Sequence, residues 1–289
     1  MFAADDGPDP RGELTHDNHA GDPVDGSAPA DGTIGPHPGR LWFLALSMAF
    51  LGGAVGWMVG NEVEQRVHWT ARVGPRGREG LARADATGFD WLSVSREEAE
   101  RRNTSLAMGI FGGILGLTAG TGGGLARNRN LAVLQGGLGG LVLGTVAGAF
   151  VPWMLVPEFY RYLKRVPNPM LPVIVHASVY AAIGGAVGLA FGYGLRGWRG
   201  VAKGLLAGVM GAILGSVLFA VLHTLFFPME WDFSPMPGKT VSRLLAHMCV
   251  AMLSMTCATI ALCEETPQLV SEGVQSPPRA GSVSPGSGR

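Results

Sequence analysis

The sequence predicts an all-α fold: a polytopic membrane bundle of about six transmembrane helices that contains one glycine-rich two-helix hairpin twice. Three observations carry this. Of 289 residues, 47% are hydrophobic and only 15% charged, and 45 are Gly. A soluble domain carries about 25% charged residues and about 7% Gly. Carboxylates are excluded from long stretches: no Asp or Glu occurs between Arg101 and Pro157, nor between Phe159 and Met229. Such exclusion is what hydrocarbon demands, since a buried carboxylate there costs several kcal/mol. Finally, glycines recur every four residues in apolar runs that lack the G-X-Y period of collagen.

Residues 1–40 hold eight acidic and two basic residues and almost no bulky hydrophobes. They bury too little apolar surface to offset chain entropy, so a disordered acidic tail is expected. The tail has no basic n-region and is not read as a secretory signal. A span needs about 20 apolar residues. The first candidate is 41–60. The polar segment 61–105 follows, with eight residues of each charge. Asn61–Arg72 is expected to extend the first helix until Gly74-Pro75 stops it. Ser95 and Glu98 read as a capping box that starts the next helix. This segment is expected to form a small surface cap, too short for a core of its own.

The first hairpin spans 104–157 and the second 172–228. Each joins its two apolar runs through a short basic turn and ends near a proline, Pro157 or Pro228. The sixth span is 240–263, without Gly, expected at the periphery or sealing the bundle. Residues 264–289 return to Pro, Ser and Gly and read as a second disordered tail.

The hairpins match at an offset of 72 residues. Gly112, Gly113, Gly116, Gly120 and Gly122 fall on Gly184, Gly185, Gly188, Gly192 and Gly194. Without gaps, Gly136 and Gly139 fall on Gly208 and Gly211, and Gly140, Gly144 and Gly148 on Ala212, Ser216 and Ala220. Two spans separate the copies, so they should run parallel, related by an axis along the membrane normal. Spacing by four places Gly112, Gly116 and Gly120 on one helix face, and Gly136, Gly140 and Gly144 on another. Small residues let backbones approach in lipid, where the hydrophobic drive between helices is weak. The pattern resembles the glycine zippers of many membrane proteins. That resemblance implies tight packing and no particular activity. Gly52 and Gly56 of the first span repeat the local pattern. That span should run antiparallel to the second, so it is read as the same packing solution and not as a third repeat.

The short turns at 125–130 and 196–203 carry five basic and no acidic residues. The positive-inside rule then places them and both termini in the cytoplasm, in the cell (inner) membrane, while the eight Arg of 61–105 oppose that assignment.

Candidate chemistry is sparse. His176, His223 and His247 lie in or near span ends, all toward one membrane face. Imidazole is a common metal and haem ligand, which makes these three the candidate metal ligands. No E-x-x-H or H-x-x-x-H pattern accompanies them, and the plain alternative is hydrogen-bonded histidine in a bundle. Arg243 and His247, spaced i, i+4, could line a polar path, with Arg243 snorkelling to the interface as the alternative. Asn61, Glu62 and Glu64 are expected in headgroups or water. Cys249, Cys257 and Cys263 contain no C-x-x-C and read as small apolar residues. G-x-S-x-G, H-E-x-x-H and the G-K-[ST] phosphate loop are absent, so no enzyme and no cofactor is expected. The aromatic-basic stretch Pro157–Arg165 reads as a headgroup belt and not as a nucleic-acid site. The expected partners are the lipid bilayer, further copies of the chain or other membrane proteins. The functional expectation is a scaffold or assembly component, with a small channel or carrier as the alternative.

Overall fold

The structure, a computed structural model, describes residues 38–67, 69, 87–165, 170–227 and 239–263. Six helices follow in order: α1 (Pro38–Arg66), α2 (Thr87–Ala126), α3 (Asn130–Arg165), α4 (Met170–Arg196), α5 (Trp198–Phe226) and α6 (Thr240–Cys263). All six are long and apolar enough to cross a bilayer. No strand occurs among the described residues. The expected disorder of both tails, from residue 37 back and from 264 on, and the Gly74-Pro75 stop lie outside the described residues, as do Pro228 and most of the 228–239 loop.

Three boundaries differ from expectation. α2 begins at Thr87, eight residues before Ser95, so Ser95 lies inside the helix and not at its start. No proline lies between Thr87 and Ser95, and the helix simply continues outward. α3 runs through Pro152 and Pro157 to Arg165 instead of ending at Pro157. Membrane helices tolerate such prolines because local adjustment re-satisfies the freed carbonyls. α1 ends at Arg66, with Val67 N–H still bonded to Val63 O at 2.8 Å.

The two short turns have different geometry. α2 closes in a Schellman motif: Asn128 N–H donates to Leu125 O and Arg129 N–H to Gly124 O, with Asn128 at φ 58°. Asparagine is the commonest non-glycine residue to accept that left-handed position. The α4–α5 turn hinges on Gly197 alone, at φ 63° and ψ −147°, a combination open essentially only to glycine.

α2 and α4 are the most buried spans, while α1, α3 and α5 turn large apolar side chains outward. Within each hairpin the glycine faces meet backbone to backbone. A Cβ added at Gly112, Gly116 or Gly120 would fall on the carbonyl of Gly144, Gly140 or Gly136. In the second hairpin Gly184, Gly188 and Gly192 meet Gly208, Gly204 and Gly200. The gapless sequence match is therefore wrong for α5: the residues that take the places of Gly136, Gly140 and Gly144 are Gly200, Gly204 and Gly208, an offset of 64 in place of 72. The eight residues are lost around the Gly197 turn: two from the turn itself and six from the adjoining helix ends. α2 and α4 run parallel at nearly equal height, where Gly123 touches Leu195 N and Gly194 touches Gly124 N.

Of the two placements expected for the sixth span, the contacts agree with the one that seals the bundle. α6 packs on α5, where Gly211 lies against Leu253 and Ser254 and Gly215 against Val250, and on α1, where Gly53 lies against Met248 and Ala251. α1 in turn packs on α2: Gly52 against Leu115 and Thr118, Gly56 against Phe111, Gly60 against the carbonyl of Ala107. One end of the bundle, here the turn face, carries both short turns. The other, the loop face, carries the ends of α1, α3 and α5 and the starts of α2, α4 and α6.

Candidate intramembrane polar site

Most polar side chains inside the bundle satisfy themselves locally. Thr145, Ser178, Thr224 and Thr259 each donate to the carbonyl four residues back, and Thr118 and Thr121 to the one three back. The exceptions gather on the inner helices toward the loop face.

Phe111 of α2, Tyr180 of α4 and His247 of α6 meet as three edge-on rings, all fully buried. Phe111 and His247 have centroids 3.9 Å apart at 83°. Tyr180 stands 6.2 Å from His247 and 6.4 Å from Phe111, at 83° and 90°. Edge-to-face geometry sets the positive rim of one ring against the negative face of the next. His247 Nδ1 lies 2.5 Å from the carbonyl of Arg243. A carbonyl only accepts, so Nδ1 carries the proton in this contact.

One turn nearer the loop face, the Arg243 guanidinium pairs with the Glu64 carboxylate of α1. Its second contact, Nη2 to Oε1, is 3.5 Å. The side chains are only 9% and 18% exposed. Neither residue stands singly, as the sequence led one to expect: each is largely covered and held by the other. α1 extends beyond its apolar run and so brings Glu64 beside the first turn of α6. At that end Trp57 Nε1–H also donates to Thr240 O at 3.1 Å, joining the same two helices.

Tyr180 Oη and Ser254 Oγ are buried with no hydrogen-bond partner among the described residues. Ser105 Oγ and Ser242 Oγ share this condition among the described residues. An orphaned buried hydroxyl costs about 1–3 kcal/mol.

Around this site the loop face is tied down by polar contacts. The Asn103 side-chain amide bonds both the N–H and the carbonyl of Trp69, each at 3.0 Å. Arg101 lies 3.8 Å over the Trp153 ring, and Tyr160 donates to Glu100. Trp57 and Trp153 lie toward the loop face, and Trp198, 82% exposed, lies beside the Gly197 turn.

The three candidate metal ligands do not converge. His176 and His223 flank Phe219, with centroids 6.4 and 5.4 Å from it, whereas His247 packs on Phe111 and Tyr180. Among the described residues, no group of three or more His, Cys, Asp and Glu side chains is disposed to hold a metal ion. The sequence does give the i, i+4 spacing of Arg243 and His247. Nothing in it links Tyr180 to them, because Tyr180 belongs to a separate helix and follows no motif. Comparison with protein-family models, curated proteins and solved structures gave no match to this chain.

Proposed function

We propose that the chain is a non-enzymatic scaffold or assembly component of the cell membrane, with the basic turn face and both termini in the cytoplasm. The observation that carries this reading is the backbone contact along both hairpins, Gly116 on Gly140 and Gly188 on Gly204. Contact of that kind fixes helix positions and leaves no side-chain layer to repack. The outward faces of α3 and α5, with Leu134, Leu138, Val142, Leu206, Met210 and Leu214 exposed, remain available to lipid, to further copies or to other membrane proteins. The repeated hairpin supports duplication as the origin of this rigid frame.

A second reading, a small carrier or channel, is favoured by one specific observation. Ionisable groups inside a span are expensive and mark pathways, and the Glu64–Arg243–His247 arrangement with the orphan hydroxyl of Tyr180 lies within the bundle.

Native mass spectrometry of the protein from a mild detergent separates the two. A defined assembly of the bare chain, alone or with a protein partner, is the scaffold result. A bound small molecule at fixed stoichiometry, lost in Tyr180→Phe, overturns it in favour of the carrier.

A further inference from the structure

We infer that α6 and α1 are a third copy of the hairpin, α6 standing as its inner helix and α1 as its outer one, so that the bundle is a ring of three hairpins. The contacts close such a ring. In each hairpin an outer helix packs on its own inner helix: α3 on α2, α5 on α4, α1 on α6. Each outer helix also packs forward on the next inner helix. Gly140 of α3 meets Ala190 of α4, Gly211 and Gly215 of α5 meet Ser254 and Val250 of α6, and Gly56 and Gly60 of α1 meet Phe111 and Ala107 of α2. The directions agree. α2, α4 and α6 run one way and α1, α3 and α5 the other, which removes the objection that α1 opposes α2.

The forward contacts also set a residue correspondence, taken from packing and not from sequence matching. Gly211 and Gly215 take the places of Gly56 and Gly60, a difference of 155. Carried along the helix, that difference sets Gly200, Gly204 and Gly208 on Ala45, Ala49 and Gly53. All five positions are small in both helices. Ala45 and Ala49 are fully buried. Gly53 faces its own inner helix, as Gly208 and Gly144 do, but at Met248 and Ala251, about one helical turn nearer the loop face than Ser254, the residue set on Gly184. On the inner side, Gly184 sits beside Ser254 at equal height. Repeating the four-residue step carries Gly188 to Ala258, small again. The third hairpin is the loosest of the three. Ser254 and Ala258 stand where the second has Gly184 and Gly188, and an apolar groove of about 340 Å³ opens on its outer side among Phe50, Ala54, Trp57, Met58, Leu244 and Met248.

Two experiments on the whole chain test this. With Cys249 and Cys257 changed to Ser, Leu41→Cys should form a disulfide with native Cys263 on mild oxidation in membranes, read as protection of both thiols from a maleimide without dimer formation. The same Leu41→Cys paired with Ala258→Cys and Cys263→Ser, slipped along the helix, should not. The second experiment is a permutant that keeps all 289 residues, joins Arg289 to Met1 and opens the chain between residues 165 and 170. It then reads as three unbroken hairpins and should elute as the natural chain does, melting within about 5 °C of it. Failure of the 41–263 link, equal linking of the slipped pair, or an aggregated permutant overturns the inference.

Discussion

The carbonyl oxygens of Gly116 and Gly140 each stand where a Cβ on the other residue would be. The contact is reciprocal, so neither helix can accept a side chain without moving the other. Gly116→Ala should destabilise by about 1–3 kcal/mol, the usual range for overpacking, and Gly116→Leu or Gly188→Leu should impair assembly altogether. Gly139, only three residues from Gly136, has nothing within 4 Å of its added Cβ. Gly139→Ala should therefore be stabilising, by roughly 0.5–1 kcal/mol from helix propensity. Thermal melts in detergent compare the two directly, and equal effects at positions 116 and 139 would sink the packing argument.

The Arg243–Glu64 pair makes a different kind of prediction. Its net contribution is small, because burying both charges offsets most of their attraction. Removing one partner strands the other and costs about 3–5 kcal/mol. Arg243→Met and Glu64→Met should each be strongly destabilising, and the double variant should recover most of the loss. A double-mutant cycle in chemical unfolding reads the coupling, and additive losses would show that the pair does not act as a unit.

Tyr180→Phe removes a hydroxyl that has no hydrogen-bond partner among the described residues and leaves the ring contacts with Phe111 and His247 in place. The scaffold reading expects a melting temperature unchanged or raised, since a desolvated donor disappears. A marked drop would mean that the hydroxyl is held by something the chain binds.

His247→Ala opens a cavity against Phe111 and should lower stability by about 2–4 kcal/mol. His176→Ala should cost less, since its ring stands 6.4 Å from Phe219. Elemental analysis of the purified protein should show the same metal content for both variants and the natural chain. A parallel fall in metal would restore the histidine site that the separation of these residues argues against.

The turns respond oppositely to small residues. Asn128 sits in the left-handed region, so Asn128→Gly should be tolerated and Asn128→Val should cost about 1–2 kcal/mol. Gly197 at ψ −147° lies outside that region. Gly197→Asn should therefore destabilise by about 1–3 kcal/mol, although asparagine serves well at the other turn. Melting temperatures of the three variants give the comparison.

The spans could be read from the chain because hydropathy and carboxylate exclusion are one-dimensional signals. The sixth is found where expected, Thr240–Cys263. The register of α5 could not be read in the same way. A stripe with period four matches itself when slid by eight, so Gly208 fits opposite either Gly136 or Gly144 until backbone contact with Gly184 selects the latter. The polar site was half visible. Arg243 and His247 share a helix and a spacing, whereas Glu64 and Tyr180 reach them only through tertiary packing of α1 and α4. Glu64 in particular reads as solvated wherever the end of its helix is judged by composition alone.

The antiparallel pairing inside every hairpin has an electrostatic consequence. A helix carries about half a positive elementary charge at its start and half a negative one at its end. Three of the six helices begin at the loop face and three at the turn face, so their macrodipoles cancel pair by pair across the bilayer. The backbone therefore gives the bundle no preferred direction of insertion. The choice falls to Arg and Lys side chains at the two interfaces, where the turn residues Arg127, Arg129, Arg196, Arg199 and Lys203 are set against Arg66, Arg96, Arg101, Arg102, Arg161 and Lys239 at the loop face. A bundle so balanced should be open to inversion by a few added or removed charges.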